Sequence, residues 1–257
     1  MERVETSRSV GLARAMSKMG FCSRSQAAKL IRAGRVQLNG AARRDPETPV
    51  RLNRDRIHVD GRAIIAESKV YLKLNKPRGV VTSASDEKGR ETVYSLLDEQ
   101  LPWLGPVGRL DKASEGLLLL TNDSEWAARV ADPGSHLDKV YHVHVAALAG
   151  ESVTNALVNG VLIDGEILRA KQARVLRQGG KNFWLEIVLD EGKNRQIRRM
   201  MEALGIEVLR LIRVAIGPIA LGQLPKGAFR ALSTAEKSAL DGALRREHKQ
   251  ENLLGRE

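Results

Sequence analysis

The chain has little cysteine, few aromatic side chains and no long hydrophobic run, and these shortages exclude several classes of protein. Its single cysteine, Cys22, has no partner for an internal disulfide, and no CxxC pair is present to ligate a metal ion. The longest purely aliphatic run, Leu117 to Leu120, is far shorter than the roughly 20 residues that span a bilayer. Residues 1–20 carry scattered charges without an apolar segment, so we expect no secretory signal, no membrane partner and a cytoplasmic protein.

Acidic residues are also too few to balance the basic ones. Lys and Arg number 42 against 31 Asp and Glu, which gives a net charge of +11 and favours a polyanionic partner, nucleic acid above all. Residues 1–68 hold 14 basic and 7 acidic residues, whereas the rest of the chain holds 28 and 24. The first quarter of the chain therefore carries most of the excess charge.

The length and the apolar content predict two folded domains. At roughly 150 residues per domain, 257 residues favour two. Hydrophobic residues make up 42% of the chain and aromatic residues only 4%, so the cores must consist mainly of Leu, Val, Ile and Ala. Strands and helices are mixed without strict βαβ alternation, which predicts an α+β fold.

The basic N-terminal segment has the pattern of two short helices followed by a hairpin. Apolar residues at helical spacing predict a first helix over 12–20, and Ser23 or Ser25 caps a second helix that ends at Gly34. Asn39-Gly40 then marks a tight hairpin turn. The basic side chains on this module are candidate RNA-binding residues, with a solvated helix face as the alternative: Arg14, Lys18, Arg24, Lys29, Arg32 and Arg35.

This segment resembles the S4-type RNA-binding domain of ribosomal proteins. The matching text comprises Leu12 to Gly20, Ser23-Arg24-Ser25-Gln26-Ala27, Leu30 to Val36, Leu38-Asn39-Gly40 and the stretch from Asp55 to Gly61. In that family the helix pair presents its basic side to structured RNA. The resemblance implies a small helix-helix-hairpin domain over 10–68.

Further along, the chain reads as a second domain over 69–240 with a polar tail over 241–257. The patterns predict strands at 70–74, 116–121, 140–146, 173–176 and 183–189, and helices at 125–130, 151–158, 195–204 and 233–246.

The segment from Gly108 to Gly116 is the first that carries chemistry. A glycine-bracketed loop precedes an apolar strand, and such loops hold functional groups rigidly at a surface. Arg109 and Asp111 lie two residues apart, so an extended backbone projects them to the same side. On spacing alone, an Arg–Asp pair that stabilises a turn is the favoured explanation.

The same segment resembles the signature of the pseudouridine synthases. Gly108-Arg109-Leu110-Asp111-x-x-Ser114-x-Gly116, followed by four leucines and Thr121-Asn122-Asp123, is similar to the bacterial branch that contains small-subunit synthase A and large-subunit synthases B, E and F. The resemblance implies that Asp111 is the catalytic carboxylate and that Arg109 fills the space left by a flipped base. It also implies a catalytic domain with a central mixed, mainly antiparallel sheet flanked by helices.

Other segments match the same family in the same order. The turn after Leu74 contains Lys76, and Lys139-Val140-Tyr141 matches the motif whose Tyr stacks on the target base. In the stretch from Glu191 to Met200, the resemblance implies that Arg198 pairs with the catalytic Asp. Arg195, with Arg199, is a candidate for phosphate contact, and Leu211 stands where the family places an apolar residue against the base. For each, an ordinary structural role remains the alternative.

The implied reaction requires no cofactor. Pseudouridine formation exchanges one bond from ribose C1′ for another without redox change, and the sequence has no Walker loop, Rossmann fingerprint or metal-ligand cluster. His142 and His144 alternate on one strand, but nothing is spaced to complete a metal site, so we expect them to face solvent.

The predicted function is isomerisation of a specific uridine in ribosomal RNA by a monomer. The segment from Gly192 to Arg199 looks closer to the large-subunit synthases, which favours 23S over 16S rRNA, either free or in a pre-ribosomal particle. A non-catalytic RNA-binding assembly factor with the same fold is the alternative. A DNA-binding regulator would rest on charge alone.

Overall fold

The helix pair forms where the apolar periodicity predicts it. The computed structural model describes residues 9–83, 89–146 and 150–254. The chain divides into two compact units, and the first contains the described residues up to Tyr71 together with Asp98–Gly105 and Leu120–Glu125. Its elements are β1 (Val10–Gly11), α1 (Leu12–Lys18), α2 (Arg24–Arg32), β2 (Val36–Leu38), β3 (Ala41–Arg43), β4 (Pro49–Val50), β5 (Ile57–Val59) and β6 (Arg62–Ala63).

Local capping defines the start of α2. The Ser23 hydroxyl accepts a hydrogen bond from the Gln26 backbone N–H, and the Gln26 side chain accepts one from the Ser23 N–H, which completes a capping box. Of the two predicted caps, Ser23 is therefore the one used. The apolar faces of α1 and α2 meet β2 and β5 in a small aliphatic core around Leu12, Met16 and Ile31.

The strands β3-β2-β5-β6 form an antiparallel sheet beside this core. Asn39 and Gly40 link β2 to β3, both with positive φ (52° and 83°), as the two-residue turn requires. Asp60 and Gly61 repeat the arrangement between β5 and β6. The Asn39-Gly40 turn forms as the sequence predicts.

The other unit contains the described parts of Leu72–Leu97, Pro106–Leu119 and the chain from Trp126 onward. The remaining elements are β7 (Tyr71–Lys76), β8 (Gly105–Val107), β9 (Glu115–Thr121), α3 (Ser124–Ala131), β10 (Lys139–Ala146), α4 (Gly150–Asn159), β11 (Val161–Ile163), β12 (Glu166–Leu168), β13 (Gln172–Gln178), β14 (Phe183–Leu189), α5 (Gln196–Ala203), β15 (Glu207–Ile216), β16 (Ile219–Ala220), β17 (Phe229–Ala231) and α6 (Thr234–Leu254).

A mixed sheet organises this second set of elements. The strand order is β13-β14-β10-β15-β9-β7-β17, and β15 with β9 is a parallel pair among otherwise mainly antiparallel neighbours. Tyr141, Val143 and Val145 of β10 alternate toward one face, where the last two join an aliphatic core with α4 and α5. The predicted α+β class and the mainly antiparallel sheet are confirmed.

The longest strand and the longest helix among the described residues both differ from the sequence prediction. The longest strand, β15, was not predicted, because the arginines inside its apolar run conceal the alternation of a strand. The last helix continues to Leu254 and not to Arg246, so most of the predicted polar tail is helical. Residues 247–254 include no Gly or Pro that would end the helix earlier. No helix in the described ranges combines the length and apolar character needed to cross a membrane.

Gly116 allows β9 and β15 to approach each other closely. Its φ is +101°, and a Cβ added there would lie 2.3 Å from the carbonyl oxygen of Arg213. We expect Gly116→Ala to lower the free energy of unfolding by about 3 kcal/mol, because a backbone clash adds to an unfavourable φ. Gly227→Ala is the control, since Gly227 has φ +80° but open space around it, and should cost only about 1 kcal/mol. Equal losses in urea denaturation would contradict this reading.

Candidate active site

A cavity of about 320 Å³ opens beside the parallel strand pair. The loop Val107–Asp111, which precedes β9, lines it on one side, and Gly192–Ile197, which leads into α5, lines it on another. Side chains from β10, β14 and β15 and residues at the end of α3 also line it. Five of the predicted site residues meet here: Arg109, Asp111, Tyr141, Arg195 and Leu211.

The Asp111 loop is fixed through its backbone. The Leu110 carbonyl accepts a hydrogen bond from the Thr82 hydroxyl at 2.8 Å, and the Lys112 carbonyl accepts one from the Gly79 N–H at 2.8 Å. The Ser114 N–H donates to the Asp111 carbonyl at 2.9 Å and closes the turn. With its backbone held in this way, Asp111 directs a 43% exposed side chain toward the cavity.

Lys76 supports this loop and is not among the residues that line the cavity, and its part in substrate binding stays a prediction. The side chain is fully buried, and Nζ donates to the carbonyls of Pro77, Asp111 and Ser114 at 3.0, 3.2 and 2.9 Å. Three convergent carbonyls satisfy the ammonium completely. A Lys-Pro turn in the sequence does not indicate that the Lys76 side chain is buried.

The enclosure of Lys76 makes stability depend on pH. Burial lowers the pKa of Lys76 to about 8, against roughly 10.4 in an unfolded chain. Between pH 8 and 10 the unfolded chain binds more protons, so the Lys76 contribution to the free energy of unfolding rises with pH, by up to about 3 kcal/mol. In urea denaturation, the free energy of unfolding of wild type minus that of Lys76→Met should increase with pH across this range. The exposed Lys112→Met should show no such gain, and parallel pH curves for wild type and Lys76→Met would refute the prediction.

The guanidinium that contacts Asp111 is that of Arg195, not Arg198. Arg195 Nη1 lies 3.4 Å from Asp111 Oδ2, and the two side chains are 51% and 43% exposed. Arg195 stands at the N-cap of α5 with φ +49°, outside the helix. Because this backbone geometry turns Arg195 toward the loop, the predicted Arg198–Asp111 ion pair is replaced by an Arg195–Asp111 contact.

Arg198, in the first turn of α5, binds the backbone of the same loop. Its Nη2 donates to the Ala113 carbonyl at 3.1 Å, and its Nε is enclosed without a partner among the described residues. Burial lowers the pKa of Arg198, the positive charge of Arg195 adds to that shift, and the negative charge of Asp111 opposes it. Arg198 is therefore close enough to Asp111 for the two charges to interact, but its hydrogen bond is to the Ala113 carbonyl. Arg199 contacts Asp164 and Glu166 instead of the cavity.

Tyr141 and Leu211 reach the cavity from adjacent strands. In the β10–β15 ladder, Val143 pairs with Leu211 and Tyr141 pairs with Arg213, after a register shift between Val140 and Tyr141. The shift keeps these side chains on the face that carries the cavity. Leu211 is buried and also packs into the aliphatic core, so the structural reading of this residue holds as well.

Three cations that line the cavity were not predicted as site residues, namely Lys139, Lys193 and Arg213. Arg213 is 6% exposed and donates from Nε to the Leu117 carbonyl at 2.8 Å, while its Nη2 is enclosed without a partner in the described part of the chain. Lys139 Nζ donates to the Asp190 carbonyl at 3.1 Å, and its pKa is lowered, mainly by burial and further by Arg213. An arginine inside the apolar run of β15 was the sequence pattern that could have revealed Arg213.

The predicted RNA-binding side chains fall into two groups. Arg14, Arg24, Lys29 and Arg32 are exposed on α1 and α2, and no side-chain ion pair of theirs occurs within the described ranges. Lys18 is largely buried beside Glu125, and Arg35 forms a two-point ion pair with Asp60. The first group remains available for phosphate contacts.

The histidines of β10 lie on a face of the sheet that is partly open to solvent, and each has a partner there. His142 Nε2 lies 3.4 Å from Glu186, which also accepts from Arg174 at 2.6 Å. The ring of His144 stacks on Trp184, with centroids 4.7 Å apart. Among the described residues no group of three or more His, Cys, Asp or Glu could hold a metal ion.

Comparison with known proteins places this geometry in context. Residues 70–203 match the family described as RNA pseudouridylate synthase, and residues 10–57 match the S4 domain. An uncharacterized RNA pseudouridine synthase of Aquifex aeolicus (strain VF5) is 37% identical over 226 residues, covering 88% of this chain and 91% of that protein. One from Mycobacterium tuberculosis (strain ATCC 25618 / H37Rv) is 36% identical over 240 residues, covering 89% and 92%. A crystal structure of a pseudouridylate synthase superposes with a TM-score of 0.64 at 32% identity, covering 90% of this chain and 99% of that one.

Proposed function

The chain belongs to the RNA pseudouridylate synthase family and carries an S4 domain, and from this we propose that it isomerises one uridine of 23S rRNA, with Asp111 as the catalytic carboxylate. In this reaction the bond from uracil N1 to ribose C1′ breaks and a bond from C5 to C1′ forms. The hydrogen on C5 is lost to solvent as a proton, and N1 gains one. No electron leaves the substrate, so the chain's own side chains suffice.

The observation that carries the proposal is the meeting of Asp111, Tyr141 and Leu211 at one cavity. A uridine in an RNA helix must leave its stack before any side chain reaches C1′, at a cost of a few kcal/mol. In the proposed complex the uracil ring stacks on Tyr141 and contacts Leu211, and stacking of this kind recovers about 1–3 kcal/mol. Asp111, on a loop fixed through its carbonyls, faces the ribose. Arg109, exposed at the cavity, takes the place of the extruded base.

The cations around the cavity fit a nucleotide. Arg195 and Arg213 present guanidinium donors to the same space, and Lys139 adds an ammonium. In our proposal Arg195 contacts a backbone phosphate of the bound RNA. Its side chain is exposed, and its 3.4 Å contact with the exposed Asp111 carboxylate is weak in water. Arg213 and Lys139 face the carbonyl oxygens of the uracil ring. Arg198 positions Asp111 through the loop backbone.

The large-subunit substrate is proposed from the segment Gly192 to Arg199, which resembles the large-subunit synthases. Mapping of carbodiimide-modified pseudouridines in rRNA from a deletion strain tests it directly. Loss of one pseudouridine from 23S rRNA, restored by the wild-type gene, is the expected result. Loss from 16S rRNA alone would overturn the choice of subunit, and an unchanged map of both rRNAs would overturn the rRNA substrate.

The exposed arginines of α2 should set the affinity for RNA. Replacing Arg24 and Arg32 with Gln removes two of the proposed phosphate contacts, so we expect about tenfold weaker binding of rRNA fragments and a salt slope smaller by about 1.5. Filter binding between low and high KCl measures both quantities. Arg35→Gln is the matched control, since Arg35 is already paired with Asp60, and should change the slope less. An unchanged slope in the double variant would place the phosphate contacts elsewhere.

A further inference from the structure

Four side chains form a continuous rung across the sheet on the face opposite to the cavity. Arg177 of β13 pairs in register with Trp184 of β14, Trp184 pairs with His144 of β10, and His144 pairs with Arg210 of β15. The Trp184 and His144 rings are stacked, 4.7 Å between centroids and 5° between planes. The Arg210 guanidinium carbon lies 5.8 Å from the centre of the Trp184 ring.

Backbone irregularities build this rung. A register shift between Val175 and Arg177 turns Arg177 to the same face as Trp184, although strict alternation would send it to the core face with Val175. A second shift, between His144 and Val145, lies next to Arg210. Bulges that re-aim side chains commonly accompany functional surfaces.

The rung is open to solvent, in contrast to the core face of the same strands. Val143, Leu185 and Leu211, which alternate with the rung residues, are buried in the aliphatic core. His144, Trp184 and Arg210 are only partly buried, and Arg177 is exposed. A tryptophan and a histidine stacked on a partly open sheet face have no evident role in packing the core.

The cations of the rung differ in their availability. Arg210 forms a two-point ion pair with the buried carboxylate of Glu115, at 3.0 Å for each contact, so it is held rigidly. Arg177 has no partner among the described residues, nor does Lys181 in the adjacent hairpin tip, and both are exposed. Arg177, the register partner of Trp184 on the strand away from His144, is therefore an unpaired cation beside that ring, and Lys181 lies in the turn that joins the two strands.

We propose that this rung binds an unpaired stretch of RNA, with one base stacked on the free side of Trp184 and the neighbouring phosphates on Arg177 and Lys181. The inference rests on the proposed function, because it assigns a second contact surface to the substrate RNA. Aromatic rings flanked by unpaired cations match the two chemical features of single-stranded RNA, flat bases and a phosphate backbone. Tyr141 and His144 are three residues apart, about 10 Å along β10, on opposite faces of the sheet.

Binding of a fluorescein-labelled oligouridine of about 12 nucleotides tests the proposal by anisotropy. The titrations use the full chain with Arg24→Gln and Arg32→Gln, so that the S4 helices contribute less. In that background, Trp184→Leu should weaken binding about tenfold, whereas Trp184→Phe, which keeps a stacking ring, should weaken it less than threefold. Arg177→Gln with Lys181→Gln should reduce the salt slope by about 1.4.

The double variant Arg174→Gln and Glu186→Gln is the matched control. It lies on the same face but removes an existing ion pair without changing net charge, and it should bind within about twofold of its parent. Equal affinity of Trp184→Leu and its parent would overturn the proposal, as would equal losses in Trp184→Leu and Trp184→Phe. Binding is measured without turnover, so a failure of the proposed isomerase activity would leave this result intact, and the reverse also holds.

Discussion

Asp111→Asn is expected to abolish isomerisation while leaving RNA binding within about twofold of wild type. The amide keeps the size of the side chain, and the loop around it is held by backbone contacts from Thr82, Lys76 and Gly79, so the cavity should keep its shape. What is lost is the carboxylate oxygen that acts on the ribose in our proposal. We expect release of tritium from 5-labelled uridine to fall at least about a thousandfold, the scale of removing a directly reacting group.

Asp164→Asn is the control for this experiment. Asp164 lies in the turn between β11 and β12 with φ +54°, a conformation that Asn adopts readily, and its side chain is 87% exposed. It should release tritium at the wild-type rate. Release by Asp111→Asn at that same rate would remove Asp111 from the reaction and favour the non-catalytic RNA-binding alternative.

Local patterns in the sequence were enough to predict α1, α2 and the hairpin that follows them. The capping box at Ser23 and the Asn39-Gly40 turn act over a few residues, so neither depends on distant parts of the chain. The strand β15 depends on long-range pairing with β10 and β9, and its two arginines hydrogen-bond to groups of β9. Arg213 bonds to a carbonyl of β9 and Arg210 to Glu115, neither of which periodicity can indicate.

The same distinction applies to the cavity. Motif order was sufficient to bring Arg109, Asp111, Tyr141, Arg195 and Leu211 together as candidates, and the fold places all five at one cavity. It was not sufficient to separate residues that face the cavity from residues that support it. Lys76 fills the interior behind the loop, and Arg195 takes the contact that was predicted for Arg198. Those differences depend on the left-handed backbone at Arg195 and on the burial of Lys76 at the end of β7.

Arg198→Gln should lower kcat far more than Arg195→Gln, although Arg195 is the residue that touches Asp111. The Arg195–Asp111 contact is 3.4 Å long between two exposed groups, and such pairs contribute roughly 0–1 kcal/mol, which limits the expected loss to about fivefold. Arg198 is partly buried, holds the Ala113 carbonyl two residues from Asp111 and places a fixed charge near it. Losing a preorganised group of this kind costs about 100- to 1,000-fold.

A pH profile separates electrostatic positioning from simple support of the loop. If Arg198 favours the ionised form of the reacting carboxylate, its removal shifts the acid limb of the kcat–pH profile to higher pH, because less positive charge then opposes protonation. Arg198→Lys keeps the charge and should leave that limb near its wild-type position, even though the lysine makes a poorer hydrogen bond to Ala113. If kcat of Arg198→Gln is low but the acid limb of its kcat–pH profile does not move, Arg198 only supports the loop structure. A loss in Arg195→Gln as large as that in Arg198→Gln would instead make the exposed contact the decisive one.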